Sequence, residues 1–273
     1  MKRRYNPWIT RGGLLLMTIF VGFPVYFMVV VSLKTPQDIY RQPSLTPTNP
    51  TLENYVQLFQ QGFAHNVFNS LIVAAATSVL STVLGILAAY AIVRLRFPGR
   101  NAVSKLILMS YLTPLILLFI PLAVVIQKLN LSDTLLGISI VYLAFTVPLS
   151  AWFLLGFFRG MSVDLEEAAS LDGANLRQTL QHIVIPMSAP GIATSAILTF
   201  TMAWSELFLA LVFLTSPQSQ TIPVALQDII QGDVQNYGLI MAGAIVATIP
   251  VLILYYFAQR WVITGVAAGA TKG

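Results

Sequence analysis

The sequence predicts an all-α polytopic membrane protein: six transmembrane helices in a single domain over residues 1–273. Three observations carry this. The 273-residue chain is 56% hydrophobic and 9% charged, with a mean hydropathy of +0.78, which is not the composition of a water-soluble domain. Its apolar residues form runs at 12–33, 66–93, 106–126, 136–158, 191–214 and 237–262, each near or above the ~20 residues a helix needs to cross a bilayer. Its basic residues then cluster at alternate ends of those runs.

The charge distribution sets the expected topology. The net charge is +5 and the isoelectric point about 9.6. With the N-terminus inside, Lys2, Arg3, Arg4, Arg11, Arg94, Arg96, Arg100, Lys105, Arg159, Arg177, Arg260 and Lys272 all fall on the cytoplasmic side. Lys34, Arg41 and Lys128 fall outside. This is the positive-inside bias, and it places both termini in the cytoplasm. The basic residues serve topology, so no nucleic-acid partner is expected. There is no cysteine, which excludes disulfide and thiolate chemistry. His65 and His182 flank different apolar runs, and no metal site is expected.

Each element has its own signal. The first run, 12–33, is longer than the ~7–15 apolar residues of a signal peptide and lacks a small-residue cleavage site; it reads as an uncleaved helix. The external segment 34–65 is punctuated by Pro36, Pro43, Pro47 and Pro50. It then carries Thr51 as a helix cap before Glu53-Asn54-Tyr55, a landing surface for another protein or a plain connector. The run 66–93 is rich in small residues (Ala74, Ala75, Ala76, Ser78, Ser81, Gly85, Ala88, Ala89), which let helix backbones approach closely in lipid; it belongs at the centre of the bundle. Pro114 and Pro121 each remove a backbone hydrogen bond from 106–126, so the helix should kink there unless neighbours repair it. The segment 215–236 has Pro217, Pro223, Asp228 and Asp233 but no Lys or Arg, as an external loop should.

The cytoplasmic region 159–190 interrupts this apolar pattern. Ser162 is placed to cap a helix whose first turns carry Asp164, Glu166 and Glu167, charges that suit the helix dipole. Leu165, Ala168, Ala169 and Leu171 give it a short apolar face. Gly173 permits a sharp turn, Asn175 caps a second short helix, and Pro186 ends it. The expectation is a bent knob projecting into water, with a small-residue face outward.

Chemistry-bearing motifs are sparse. No G-x-x-x-x-G-K-[ST] loop occurs, so this chain is not expected to bind ATP through one. No H-E-x-x-H, no G-x-S-x-G and no Ser/His/Asp set suggests an enzyme. Glu206 stands inside an apolar run, where a carboxylate costs about 2.5–3.5 kcal/mol at the bilayer centre. It either lines a solute path or gate, or is a structural carboxylate bonded to a neighbouring helix. Trp204 and Tyr111 are candidates for stacking on a sugar face.

Residues 167–186 also resemble a known signature. Glu167-Ala168-Ala169, three residues, Gly173, nine residues and Ile183-Val184-Ile185-Pro186 resemble the EAA motif of ABC-importer permeases. The family usually has Leu where Ile185 stands, and commonly Ile-Pro in place of Ser162-Val163. Glu53-Asn54-Tyr55, Asn69-Ser70, Trp204-Ser205-Glu206 and the tail Gly269 to Gly273 extend the likeness to the carbohydrate-uptake branch, in particular the smaller permease of maltose- or glycerol-phosphate-type systems.

The resemblance implies an EAA-type coupling helix between the fourth and fifth spans. The Glu166–Ala174 helix would then dock on an ATPase subunit, with Glu166, Glu167, Ala168, Ala169, Leu171, Asp172, Gly173, Ala174, Ile183 and Pro186 as the ATPase-coupling residues. It implies a second homologous permease, two ATPase subunits or domains that carry ATP and Mg, and an extracytoplasmic solute-binding protein. It also implies a bacterial cytoplasmic membrane location and alternating access as the mechanism. No cofactor is expected on this chain. A non-sugar cargo, a stand-alone ion-coupled secondary transporter and a membrane scaffold are the competing readings.

Overall fold

The computed structural model describes residues 7–41, 44–232 and 236–270, and these are helical almost throughout, with no β-strand among them. The basic residues Lys2, Arg3 and Arg4, the acidic Asp233 and the last three residues of the glycine-rich tail lie outside the described residues. In order the helices are α1 (Pro7–Ser32), α2 (Pro36–Arg41), α3 (Glu53–Gln60), α4 (Phe63–Arg94), α5 (Arg100–Leu112), α6 (Leu115–Lys128) and α7 (Leu135–Arg159). Then come α8 (Asp164–Leu171), α9 (Leu176–Thr179), a π turn (Leu180–Val184), α10 (Ile185–Met187), α11 (Ala189–Ser205), α12 (Phe208–Phe213), α13 (Ile222–Gly232) and α14 (Tyr237–Ala270). Among the described residues, four helices are long and apolar enough to cross a membrane, and up to six crossings result if each of two sharply bent helix pairs is one span.

The chain divides into two compact units, Met1–His65 with Ala225–Pro250 and Asn66–Val224 with Val251–Gly273. In the first unit, α1 presents Leu14, Leu16, Phe20 and Val21 fully outward, an apolar surface suited to lipid or to another membrane helix. Its C-terminal end is pinned instead. Asn54 donates from Nδ2 to the carbonyls of Ser32 and Lys34, both at 2.9 Å, and Tyr55 shares a hydrogen bond with Ser32 at 2.8 Å. Lys34 is only 3% exposed, and its ammonium donates to the Ser44 carbonyl at 2.5 Å and the Ser44 hydroxyl at 3.0 Å. A Cβ at Gly238 would lie 2.6 Å from the Asn54 amide, so a residue without a side chain is required there. Asn54 and Tyr55 are therefore anchors for the end of a helix, not an exposed landing surface.

The second unit is built around α7, whose buried residues run from Gly137 to Phe158. Helices α4 and α11 meet it through a ladder of hydroxyls. Ser78 donates to the Ala196 carbonyl at 2.7 Å, Ser81 pairs with Thr146 at 2.6 Å, and Ser150 pairs with Ser195 at 2.8 Å. These side chains are buried, and each pair costs little backbone separation because the residues are small. The small-residue run 66–93 thus packs closely against α7 and α11 along its buried face. Gly85 marks the closest approach: a Cβ there would stand 2.2 Å from Ser150 Oγ and 3.1 Å from the Ala151 backbone nitrogen.

Two expected spans are not single helices. The run 106–126 is α5 and α6, bent by 100°. Thr113 is extended (φ −68°, ψ 127°), because Pro114 disfavours the helical region for the residue before it. Pro121, expected to kink the chain, lies inside α6, as do Pro148 in α7 and Pro250 in α14. The run 191–214 also breaks, with α11 ending at Ser205, Glu206 extended and α12 resuming at Phe208.

One end of the second unit is fastened by polar contacts. Asn69 Nδ2 donates to the carbonyls of Gln218 and Gln220 at 2.9 Å, and Ser70 accepts from the Ile222 amide at 2.8 Å. Asp133, held in the left-handed region at φ 57°, accepts from the amides of Thr215 and Ser216 at 2.8 and 3.1 Å. The hydroxyls of Ser216 and Ser219 also donate to it. Burial alone would push this carboxyl up, but hydrogen bonds led by that of Ser219 outweigh burial and hold it below the usual carboxylate range.

Two predictions follow from this packing. Gly85→Val overpacks the α4–α7 contact and should cost about 1–3 kcal/mol, read as earlier thermal unfolding of the purified protein in detergent. Gly156→Ala, where a Cβ meets nothing within 4 Å, should not lower that transition. Because the folded state depresses the Asp133 pKa, its contribution is fully present above the free-aspartate value near ~3.9 and is lost as pH falls through the lower folded value. Asp133→Asn should remove that acid-sensitive increment from a profile of unfolding midpoint against pH.

Candidate functional site

The segment 161–190 lies wholly in the second unit and is built from local rules. Ser162 Oγ accepts from the Asp164 amide at 3.2 Å and donates to the Asp164 carboxylate at 2.7 Å, so it supports the start of α8 from one position before the cap. The end of α8 explains the Ala-x3-Gly spacing. The Gly173 amide donates to the Ser170 carbonyl at 3.1 Å, and the Ala174 amide to the Ala169 carbonyl at 2.9 Å. This pair of bonds is the Schellman closure, which needs a left-handed residue four positions beyond the alanine. Gly173 supplies it at φ 83°. Asn175 then opens α9 with a reciprocal capping box: its side chain accepts from the Gln178 amide at 3.0 Å, and Gln178 Oε1 accepts from the Asn175 amide at 2.9 Å. Two rigid closures therefore sit back to back around a two-residue elbow.

The second helix ends at Met187, one residue past Pro186. The helical path continues from Leu176 to Met187 and bends by 77° into α11 at Ser188. The π turn over Leu180–Val184 precedes the proline. Its wider bonding, with the Ile185 amide donating to the Leu180 carbonyl, accommodates the missing N–H locally. Val184 is 1% exposed and packs with Ile86, Tyr90, Leu154 and Phe158. Val184 is accordingly the core anchor of the Ile183-to-Pro186 part of the motif.

The faces of α8 differ from the expected division. Leu165, Ala168 and Leu171 point outward with Glu167 and Asp172, and Leu176 of α9 joins them. Leu171 is 90% exposed. Ala169, assigned to the outward apolar face, is instead buried. Glu166 also turns inward, where its carboxylate pairs with Arg94 Nε at 2.6 Å and accepts from the Tyr90 hydroxyl at 3.1 Å. Arg94 reads in sequence as a topology marker; its pairing across 72 positions has no local signal.

The other three candidates are dispersed. Glu206 accepts from the amides of Leu209 and Ala210 at 2.9 and 3.1 Å, and Tyr142 donates to its Oε2 at 2.9 Å. Both oxygens thus cap the start of α12 and tie it to α7, the structural alternative for this residue. Trp204 is 6% exposed, with its ring stacked on Phe200 at 5.6 Å. Tyr111 is 37% exposed and stacks on Trp152 at 5.8 Å.

The family described as the binding-protein-dependent transport system inner membrane component matches residues 81–267, a stretch that includes the α8 elbow and its Arg94 anchor. The chain belongs to that family. It is a multi-pass ABC-importer permease, a transport subunit and not an enzyme. It is 36% identical over 277 residues to the trehalose transport system permease protein of Mycobacterium tuberculosis, covering 99% of each chain. It is 36% identical over 266 residues to the trehalose/maltose transport system permease protein of Thermococcus litoralis, covering 96% of this chain and 95% of that one. Among solved structures, a bacterial ABC transporter involved in import of the acidic polysaccharide alginate superposes with a TM-score of 0.77 at 22% identity, over 93% of this permease and 95% of that chain.

The elbow gives a direct test of this geometry. Gly173→Val forces a β-branched residue into the left-handed region and should destabilise the elbow by about 1–2 kcal/mol. Limited proteolysis of the membrane-inserted permease should then show faster cleavage around residues 171–175.

Proposed function

We propose that the permease imports a sugar, oligosaccharide or polyol, and that α8 and the following elbow seat in a cleft of a partner ATPase. The observation that carries the docking reading is the elbow itself. An apolar tip of Leu165, Ala168, Leu171 and Leu176, with Leu171 90% exposed, is held stiff by two closures between polar flanks. An apolar tip of that kind favours burial in a partner. The cargo class is supported by relatives named for trehalose, for trehalose and maltose, for sulfoquinovosyl glycerol and for diacetylchitobiose.

The full assembly in this reading contains a second homologous permease, two ATPase subunits or domains that hold ATP and Mg, and an extracytoplasmic solute-binding protein. A solved neighbour is an alginate transporter in complex with its pentasaccharide-bound periplasmic protein. The six spans run over 12–33, 66–93, 106–126, 136–158, 191–214 and 237–262, with both termini and residues 159–190 in the cytoplasm of a bacterial cell. Glu167, Ala168, Leu171, Asp172 and Ala174 face the ATPase; Ala169, Gly173, Ile183 and Pro186 shape the elbow and its root. Of the three residues considered for the solute path, Tyr111 is the one we retain, because its ring is open while Trp204 is buried and Glu206 is occupied. ATP shifts the inward- and outward-open states only as far as it favours one ATPase geometry, and the elbow has to be stiff to convey that bias.

Leu171→Asp should leave the permease in the membrane but abolish ATPase co-purification and ATP-driven uptake. Solute movement by the purified permease without nucleotide hydrolysis would sink the reading.

A further inference from the structure

The outward and inward carboxylates of α8 point to different jobs. Neighbouring helical residues diverge by about 100° around the axis, so Glu167 meets solvent while Glu166 meets its own chain. Glu166 is held at two points, Oε1 by Arg94 Nε at 2.6 Å and Oε2 by the Tyr90 hydroxyl at 3.1 Å. The two side chains of the ion pair are 12% and 10% exposed. Arg94 is the last residue of α4, and its Nη2 also donates to the Met161 carbonyl at 3.3 Å, just before α8. The Met161 thioether sulfur in turn accepts from the Ser188 hydroxyl at 3.1 Å. Ser188 is fully buried and lies at the 77° bend that leads into α11.

We propose that Glu166 is a positioning residue: with Arg94 and Tyr90 it forms a strut that passes displacement of α8 to α4 and, through Met161 and Ser188, to the bend before α11. It is not a contact to the ATPase. The inference rests on the docking reading above and assigns the transmission step within it. A single hydrogen bond would let the carboxylate swivel, whereas two donors on two oxygens fix both its distance and its orientation. The anchored end is firm because Tyr90 packs edge-on against Phe158 at 6.5 Å within an apolar cluster that includes Leu154 and Val184. A push on α8 therefore meets a packed helix end.

The chain has no cysteine, so labels can be placed at will. In the assembled complex with its solute-binding protein, spin labels at Ser170→Cys and Leu95→Cys should give one distance distribution in both nucleotide-free and ATP-trapped states, since the strut moves as one body. Glu166→Gln should broaden that distribution and leave ATPase co-purification intact. It should also raise ATP hydrolysed per solute imported about five-fold or more. The exchanged pair Arg94→Glu with Glu166→Arg should recover much of that loss. Tyr90→Phe removes one hydrogen bond and no charge, and should raise the ratio about two-fold or more; it stands in should Glu166→Gln fail to reach the membrane as folded protein. The strut is refuted if Glu166→Gln releases the ATPase, if the ratio is unchanged, or if the wild-type distance shifts with nucleotide. Leu171→Asp separates the two ideas: a variant that stays bound and coupled overturns the docking reading while the label distances still report on the strut.

Discussion

Backbone hydrogen bonding without water is the constraint on which the rest of this structure depends. Inside hydrocarbon an unsatisfied N–H or C=O costs several kcal/mol, so a spanning chain has to be helical or has to bring its own partners wherever a helix stops. Three interruptions among the described residues show such a partner. At Glu206 the side chain supplies the acceptor for the amides of Leu209 and Ala210. At the end of α1 the Asn54 amide takes the carbonyls of Ser32 and Lys34. At Pro186 the preceding π turn redistributes the bonds of a whole turn.

The same constraint explains the use of polar residues between helices. Apolar side chains gain little by leaving lipid for another helix, so association relies on close packing and on hydrogen bonds. The Ser78, Ser81, Thr146, Ser150 and Ser195 ladder supplies both, with Gly85 where the backbones come nearest. The reverse surface, the exposed apolar face of α1, shows what a membrane helix looks like where nothing in its own unit covers it.

What was legible in the sequence was whatever is decided within a few residues. Gly173, Asn175 and Pro114 act on their immediate neighbours, and each does what its chemistry suggests. The apolar runs located the long helices, and the small-residue run marked where α4 packs closely against α7. What was not legible depended on contacts across long stretches of chain. The break at Glu206 follows no glycine or proline, and its cause is a carboxylate whose second anchor, Tyr142, lies 64 positions away. Pro121 carries a local breaker signal yet lies inside α6, and Pro186 stands one residue before its helix ends. The inward turn of Glu166 and Ala169 reverses a reading based on amphipathic spacing, because a distant arginine claims one and the helix root covers the other.

That reversal bears on why an ion pair occupies this position at all. Replacing a buried ion pair with packed apolar residues is often neutral or stabilising by about 1–4 kcal/mol, whereas removing one partner is strongly destabilising. Stability alone therefore does not account for Arg94 and Glu166. What charge provides and an apolar contact lacks is direction: Leu against Leu slides, while a guanidinium on one carboxylate oxygen and a phenol on the other tolerate little rotation. Arg94 is also well placed to hold such a partner, since a cation at a helix C-terminus is favoured by the dipole of the helix that ends there. A segment that needs only to remain folded could be rooted by Val184 and its apolar neighbours. A segment that has to move as one piece with the helices above it gains from a second, oriented attachment, and Glu166 supplies one.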